Sequence, residues 1–133
     1  MTPELTILGW TLVLAIVQIL LPAAFRNRET GLAYNAGARD EAGPPVGVIT
    51  GRLKRAQNNL FETLPLFIAA VLIAHVANIH TVATYWGCIL YLGARIVYIP
   101  LYALGIPYLR SIAWAVAMGG LFAILLGVLF PAG

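Results

Sequence analysis

The sequence predicts an all-α integral membrane protein, a bundle of four transmembrane helices forming a single domain over residues 1–133. Three observations predict it. First, 61% of the residues are hydrophobic and only 10% are charged, against about 25% charged in soluble domains, so this composition cannot cover a water-facing surface. Second, apolar stretches recur at close to the roughly 20 residues a helix needs to cross a bilayer, and the length of 133 residues allows about four of them. Third, six of the eight basic residues (Arg26, Arg28, Arg39, Arg52, Lys54 and Arg55) lie around one loop. The positive-inside rule assigns that loop to the cytoplasmic side. The net charge of +3 is this local cluster, not a nucleic-acid-binding surface.

Spans are expected at about 4–25, 51–77, 82–104 and 109–131, with a cytoplasmic loop over 26–50. The first contains no charge from Leu5 to Phe25. Its one strongly polar side chain, Gln18, suits helix packing, and Pro22 is expected to bend or stop the helix. Glu4 and the lack of a basic n-region make this a retained span, not a cleaved leader. The loop mixes Arg26, Arg28, Glu29, Arg39, Asp40 and Glu41 with Gly31, Gly37, Gly43, Pro44, Pro45 and Gly47. Its length suggests either a functional cover or a solvated linker.

The second span ends at the polar turn Asn78-Ile79-His80-Thr81, which carries no Lys or Arg and belongs on the opposite side. His75, just before it, reads as a packed or interfacial histidine. The third span contains Arg95 and ends at the tight turn Gly105-Ile-Pro-Tyr108. In the fourth, Ala115, Gly119, Ala123 and Gly127 recur every four residues, a ridge that lets another helix approach closely. Trp10 and Trp86 near span ends fit an interfacial aromatic belt. The single cysteine, Cys88, excludes an internal disulfide and reads as inert packing.

The stretch Arg55 to Phe67 opens the second span with Arg55, Asn58, Asn59 and Glu62 on one helical face, and Ala56, Leu60, Phe61 and Leu64 on the other. Glu62 and Arg95 each fall seven positions inside a predicted span, roughly 10 Å deep. An unpaired arginine there costs at least about 2–3 kcal/mol, so a Glu62–Arg95 ion pair is expected. Arg95, Tyr98 and Tyr102 share one face of the third span, and Arg110-Ser111 opens the fourth on the same side. Three spans thus converge Arg55, Asn59, Glu62, Arg95, Tyr98, Tyr102 and Arg110 on the cytoplasmic half. Their excess of arginine over carboxylate suits a carboxylate or thiolate ligand. No metal cluster, nucleotide-binding loop or Ser-His-Asp triad is legible.

These residues resemble a known family, the membrane-associated proteins in eicosanoid and glutathione metabolism (MAPEG). The pattern R-A-x-x-N-x-x-E-x-x-P-x-F is met by Arg55, Ala56, Asn59, Glu62, Pro65 and Phe67, and A-R-x-x-Y-x-x-x-Y by Ala94, Arg95, Tyr98 and Tyr102. The Arg110-Ser111 pair completes the likeness, which covers roughly residues 50 to 120. The resemblance implies a homotrimer in membrane lipid with glutathione, as co-substrate, bound between subunits. It implies Arg55, Asn59, Glu62, Arg95, Tyr98 and Tyr102 as glutathione-binding residues. It also implies a catalytic role for Arg110, stabilising the thiolate, with Ser111 beside it. The implied activity is a glutathione transferase or peroxidase acting on a lipophilic electrophile or hydroperoxide. The implied setting is a bacterial-type member in the inner membrane.

Some positions depart from the better-known branches. Trp114 stands where a prostaglandin E synthase-like branch has tyrosine, Gln57-Asn58 where that branch has His-Arg, and Thr63 where a leukotriene C4 synthase-like branch has tyrosine. Arg26 or Arg28 loosely matches a basic residue that some members use at the end of the first span. Two other readings compete: a non-enzymatic lipid-binding member of the same family, and a small four-helix transporter. The first is disfavoured by Arg55, Glu62 and Arg110 occurring together. The second is disfavoured by the absence of a carboxylate within Leu5–Phe25.

Overall fold

The computed structural model describes residues 1–31, 33, 37–38 and 43–131. Its four long helices are α1 (Pro3–Thr30), α2 (Val48–Val76), α3 (Val82–Ala103) and α4 (Pro107–Leu129), and the described residues include no strand. All four are long and apolar enough to cross a membrane. The apolar side chains they turn outward, among them Trp10, Ile16, Leu20, Trp86, Ile112 and Phe122, suit a lipid solvent. The protein is an integral membrane four-helix bundle. The expected loop residues Asp40, Glu41 and Arg39 lie outside the described residues.

Helix ends follow local chemistry. Thr2 caps α1, its Oγ1 accepting from the Leu5 N–H at 3.3 Å, with Pro3 at the first turn. Pro22 neither stops nor ends this helix; α1 continues through it to Thr30, and Pro22 is buried against the bundle. Residues 26–30 are therefore a helical extension of the first span. At the far end of α2, Asn78 adopts φ 57°, and Ile79 N–H donates to Ala74 O at 2.8 Å. At the end of α3, Gly105 at φ 72° lets Ile106 N–H reach Leu101 O at 3.0 Å. Both are left-handed C-terminal stops, where asparagine and glycine are the residues that tolerate positive φ.

The core is a stripe from each helix. α1 contributes Glu4, Leu8, Thr11, Ala15, Gln18 and Pro22, spaced by threes and fours. α2 contributes Leu60, Leu64, Phe67 and Val71, which meet Cys88 and Tyr91 of α3 and Leu121 and Ile124 of α4. Phe67 stacks on Tyr91 at 4.1 Å between centroids, and the Tyr91 hydroxyl bonds Thr63 Oγ1 at 2.8 Å. Cys88 is a fully buried free thiol. Phe61, on the apolar face of α2, is 38% exposed and turns away from the core. The inward stripe runs through Ala56, Leu60, Thr63, Leu64 and Phe67.

α3 and α4 make the most extensive pairing, and they approach backbone to backbone. A Cβ placed on Gly87 would lie 2.6 Å from Gly120 O, and one on Gly120 would lie 2.5 Å from Gly87 O. The ridge of Ala115, Gly119, Ala123 and Gly127, whose neighbour the sequence leaves open between this chain and another copy, is mostly not at this contact: Ala115 and Gly119 face outward, and a Cβ on Gly119 would meet nothing within 4 Å. Only Gly127 of that set packs inward, against Thr84. A helix apolar all round gives periodicity no way to choose between two interleaved small-residue stripes.

A carboxylate holds the end of the bundle remote from the arginines. Glu4 is 5% exposed, accepts from Thr84 Oγ1 at 3.1 Å and lies 3.7 Å from His80 Nδ1. Thr84 also forms a capping box with Thr81 at the start of α3. His75 is exposed, its ring 6.5 Å from that of His80.

Candidate functional site

The antiparallel order of the helices brings the start of α2, the end of α3 and the start of α4 to one end of the bundle. There Asn59, Tyr98, Tyr102, Arg110, Ser111 and Trp114 line a cleft of ≈ 270 Å³. Five of these six were singled out by sequence. The sixth, Trp114, was noted only as a departure from a pattern. Its position four after Arg110 places it one turn along the same helical face, which was signal enough to include it.

Tyr102 is the hub. The Arg110 guanidinium lies over its ring at 4.5 Å and that of Arg55 at 5.9 Å, and Arg55 Nε donates to the Tyr102 hydroxyl at 3.2 Å. A hydroxyl that accepts from Arg55 keeps its own proton to donate. Tyr98 packs edge-on against Tyr102 at 5.5 Å. Ser111 Oγ donates to Pro107 O at 3.2 Å, so it turns acceptor lone pairs to the cleft. Among the described residues neither Arg55 nor Arg110 has a carboxylate within ion-pair distance. Aromatic faces hold both cations in place without neutralising them.

The Glu62–Arg95 pair does not form. Arg95 Nη1 donates to Asn59 Oδ1 at 2.8 Å, Nη2 to Ala56 O at 3.5 Å, and the guanidinium lies 4.2 Å over the Tyr98 ring. Glu62 is on the exposed side of α2. Counting depth from the helix ends ignored rotation: the residues of α2 level with Arg95 and turned toward it are Ala56 and Asn59. Arg95 itself is 1% exposed and does not line the cleft, and its Nε has no partner among the described residues. Arg55 and Glu62 stand exposed on the adjoining edge of α2.

A second cleft, ≈ 410 Å³, lies on the other side of α2. Ile19, Pro22, Ala23, Arg26 and Asn27 of α1 face Val46, Thr50, Lys54 and Gln57 across it. Arg26 is committed here. Its Nη1 donates to Glu29 Oε1 at 2.8 Å and its Nη2 to Pro44 O at 2.6 Å. Glu29 also accepts from Thr50 Oγ1 at 2.5 Å and from the Gly47 N–H at 3.1 Å. Gly47 has no side chain to cap α2, so Glu29 supplies the anion that the helix N-terminus favours. Arg52 ties the same end together by donating to Ala103 O at 3.2 Å.

Among the described residues no group of three His, Cys, Asp or Glu could hold a metal ion. What the α2–α3–α4 cleft offers is donors: Arg110, the Tyr102 hydroxyl and the amide of Asn59, beside the apolar face of Trp114. The family model that matches the chain is that of the MAPEG family, over residues 7–130. Neither the curated proteins nor the solved structures give a match.

Proposed function

The chain belongs to the MAPEG family, and from that premise we propose that it is an integral-membrane glutathione transferase, with peroxidase activity on lipophilic hydroperoxides. The observation that carries this reading is the pair of arginines stacked on Tyr102 without a counter-ion among the described residues. A free thiol has a pKa of about 8.5, and an adjacent cation brings it into the reactive range. Arg110 is the cation for the thiolate, with Ser111 beside it. Asn59, Tyr98 and Tyr102 line the ligand's path, and Arg55 and Glu62 on the exposed edge of α2 meet its carboxylate and ammonium groups. The thiolate sulfur attacks an electrophilic carbon; the carbon–sulfur bond forms as the leaving group departs with the bonding pair. Trp114 gives a lipophilic acceptor an apolar wall.

The working assembly in this reading is a homotrimer with its sites between subunits. A ligand site that buries a drug-sized molecule has about 300–1,000 Å³, and the α2–α3–α4 cleft alone has ≈ 270 Å³. A neighbouring copy supplies the missing wall, and the α1–α2 cleft with Lys54 and Gln57 at its rim is a suitable complement. The basic end of the bundle lies on the cytoplasmic side of a bacterial inner membrane in this proposal.

Titration of the detergent-solubilised protein with glutathione, followed by conjugation to an aromatic halide, tests the reading. Heat of binding and glutathione-dependent turnover are the expected results. Binding of lipid with neither result would favour the non-enzymatic alternative.

A further inference from the structure

Arg95 is a buried cation inside a membrane-spanning helix, and it does not itself line the cleft. It is a cation 1% exposed, with no carboxylate partner among the described residues and an unpartnered Nε. Buried charges in membrane segments are expensive and persist where they serve a function. Its strongest contact is to Asn59, a residue that does line the cleft. A guanidinium has donors only, so the oxygen of the Asn59 amide must face Arg95. The amide nitrogen then faces away from it, and it makes no hydrogen bond to a described residue. The same guanidinium lies 4.2 Å over the ring of Tyr98, which also lines the cleft.

We propose that Arg95 is a positioning residue, which fixes the Asn59 amide so that the cleft receives its N–H₂ and not its oxygen. Asparagine is otherwise ambivalent, able to offer either end. Locked in this way it becomes a pure donor, matched to an acceptor group of an anionic ligand. Arg95 therefore acts on the ligand through Asn59 and through its uncompensated charge, not by contact. This inference rests on the glutathione-binding reading above.

Three full-length variants, each followed by calorimetric glutathione titration and thermal melting, test it. Asn59→Asp keeps an acceptor for Arg95 but turns a carboxylate oxygen to the cleft. It should melt no lower than the parent yet bind glutathione at least about tenfold more weakly. Arg95→Met releases the amide and should weaken binding similarly, while Arg95→Lys, which retains one donor and the charge, should regain most of the affinity. If Arg95→Met fails to fold, Asn59→Asp still decides. A parent that binds glutathione, with Asn59→Asp within about twofold of it, overturns the positioning role alone. A parent that takes up no glutathione overturns the proposed function with it.

Discussion

Two clefts flank α2 at the same end of the bundle, and each contains arginine in a different condition. In the α1–α2 cleft, Arg26 is bound to the Glu29 carboxylate and a carbonyl. At the α2–α3–α4 cleft, Arg110 in its lining and Arg55 on its edge rest on one aromatic ring, with no carboxylate within ion-pair distance among the described residues. The first arrangement neutralises the charge on the Glu29 carboxylate that joins α1 to the start of α2; the second leaves it un-neutralised. Arginine content alone would not have separated the clefts, because the distinction lies in whether a counter-ion has been supplied. A neutralised cation is a fastener, whereas a positioned and un-neutralised one is available to a ligand.

The largest test of that contrast is Arg110→Ala. Removing one preorganised group that stabilises developing or localised anionic charge typically costs 10²–10³ in rate. Glutathione conjugation should therefore fall by roughly 10²–10³-fold while the melting temperature stays near the parent's. Unchanged turnover would remove Arg110 from the mechanism and break the comparison at its stronger side. Next is Glu29→Gln, which removes the anion from the other cleft and leaves Arg26, Thr50 and the start of α2 with one neutral amide oxygen in place of a carboxylate. Melting should fall distinctly, with kcat at saturating glutathione preserved. Loss of kcat at unchanged stability would mean that the α1–α2 cleft is itself a reaction site.

The smallest effect is expected from Arg55→Lys. Arg55 is exposed, and exposed charge contacts contribute about 0.2–1 kcal/mol, so KM for glutathione should rise roughly two- to fivefold with kcat little changed.

The helices were legible as bilayer-length apolar runs. Tyr98 and Tyr102, and Arg110 with Ser111, could be brought to one place because helical spacing within a single segment is readable. Facts that depend on rotation between segments were not. The partner of Arg95 was misassigned because depth along two helices says nothing about which residue of each turns inward. The close α3–α4 contact is at Gly120, one residue and about 100° from the ridge position Gly119, and spacing alone leaves open whether that ridge serves this chain or another copy. Glu4 and Glu29 gave no sign in sequence of tying helix ends together, since their partners Thr84 and Thr50 lie 80 and 21 residues along the chain. Trp114 is a different case: its spacing from Arg110 is readable within one helix, but an apolar residue in an apolar span has little contrast with its neighbours.

The Gly87–Gly120 contact also has a mechanical meaning. A Cβ on either glycine would meet the other's carbonyl oxygen, so the spacing of α3 and α4 at that level depends on two absent side chains. Arg110 lies ten residues from Gly120, about 15 Å along α4 at 1.5 Å per residue. Tyr98 lies eleven residues from Gly87 along α3, about 16 Å away. A methyl group inserted at the contact, as in Gly120→Ala, would force the two backbones apart there, in the same pair of helices that carries the arginine and the tyrosine. Two missing methyl groups thus belong to the specification of a cleft they do not line.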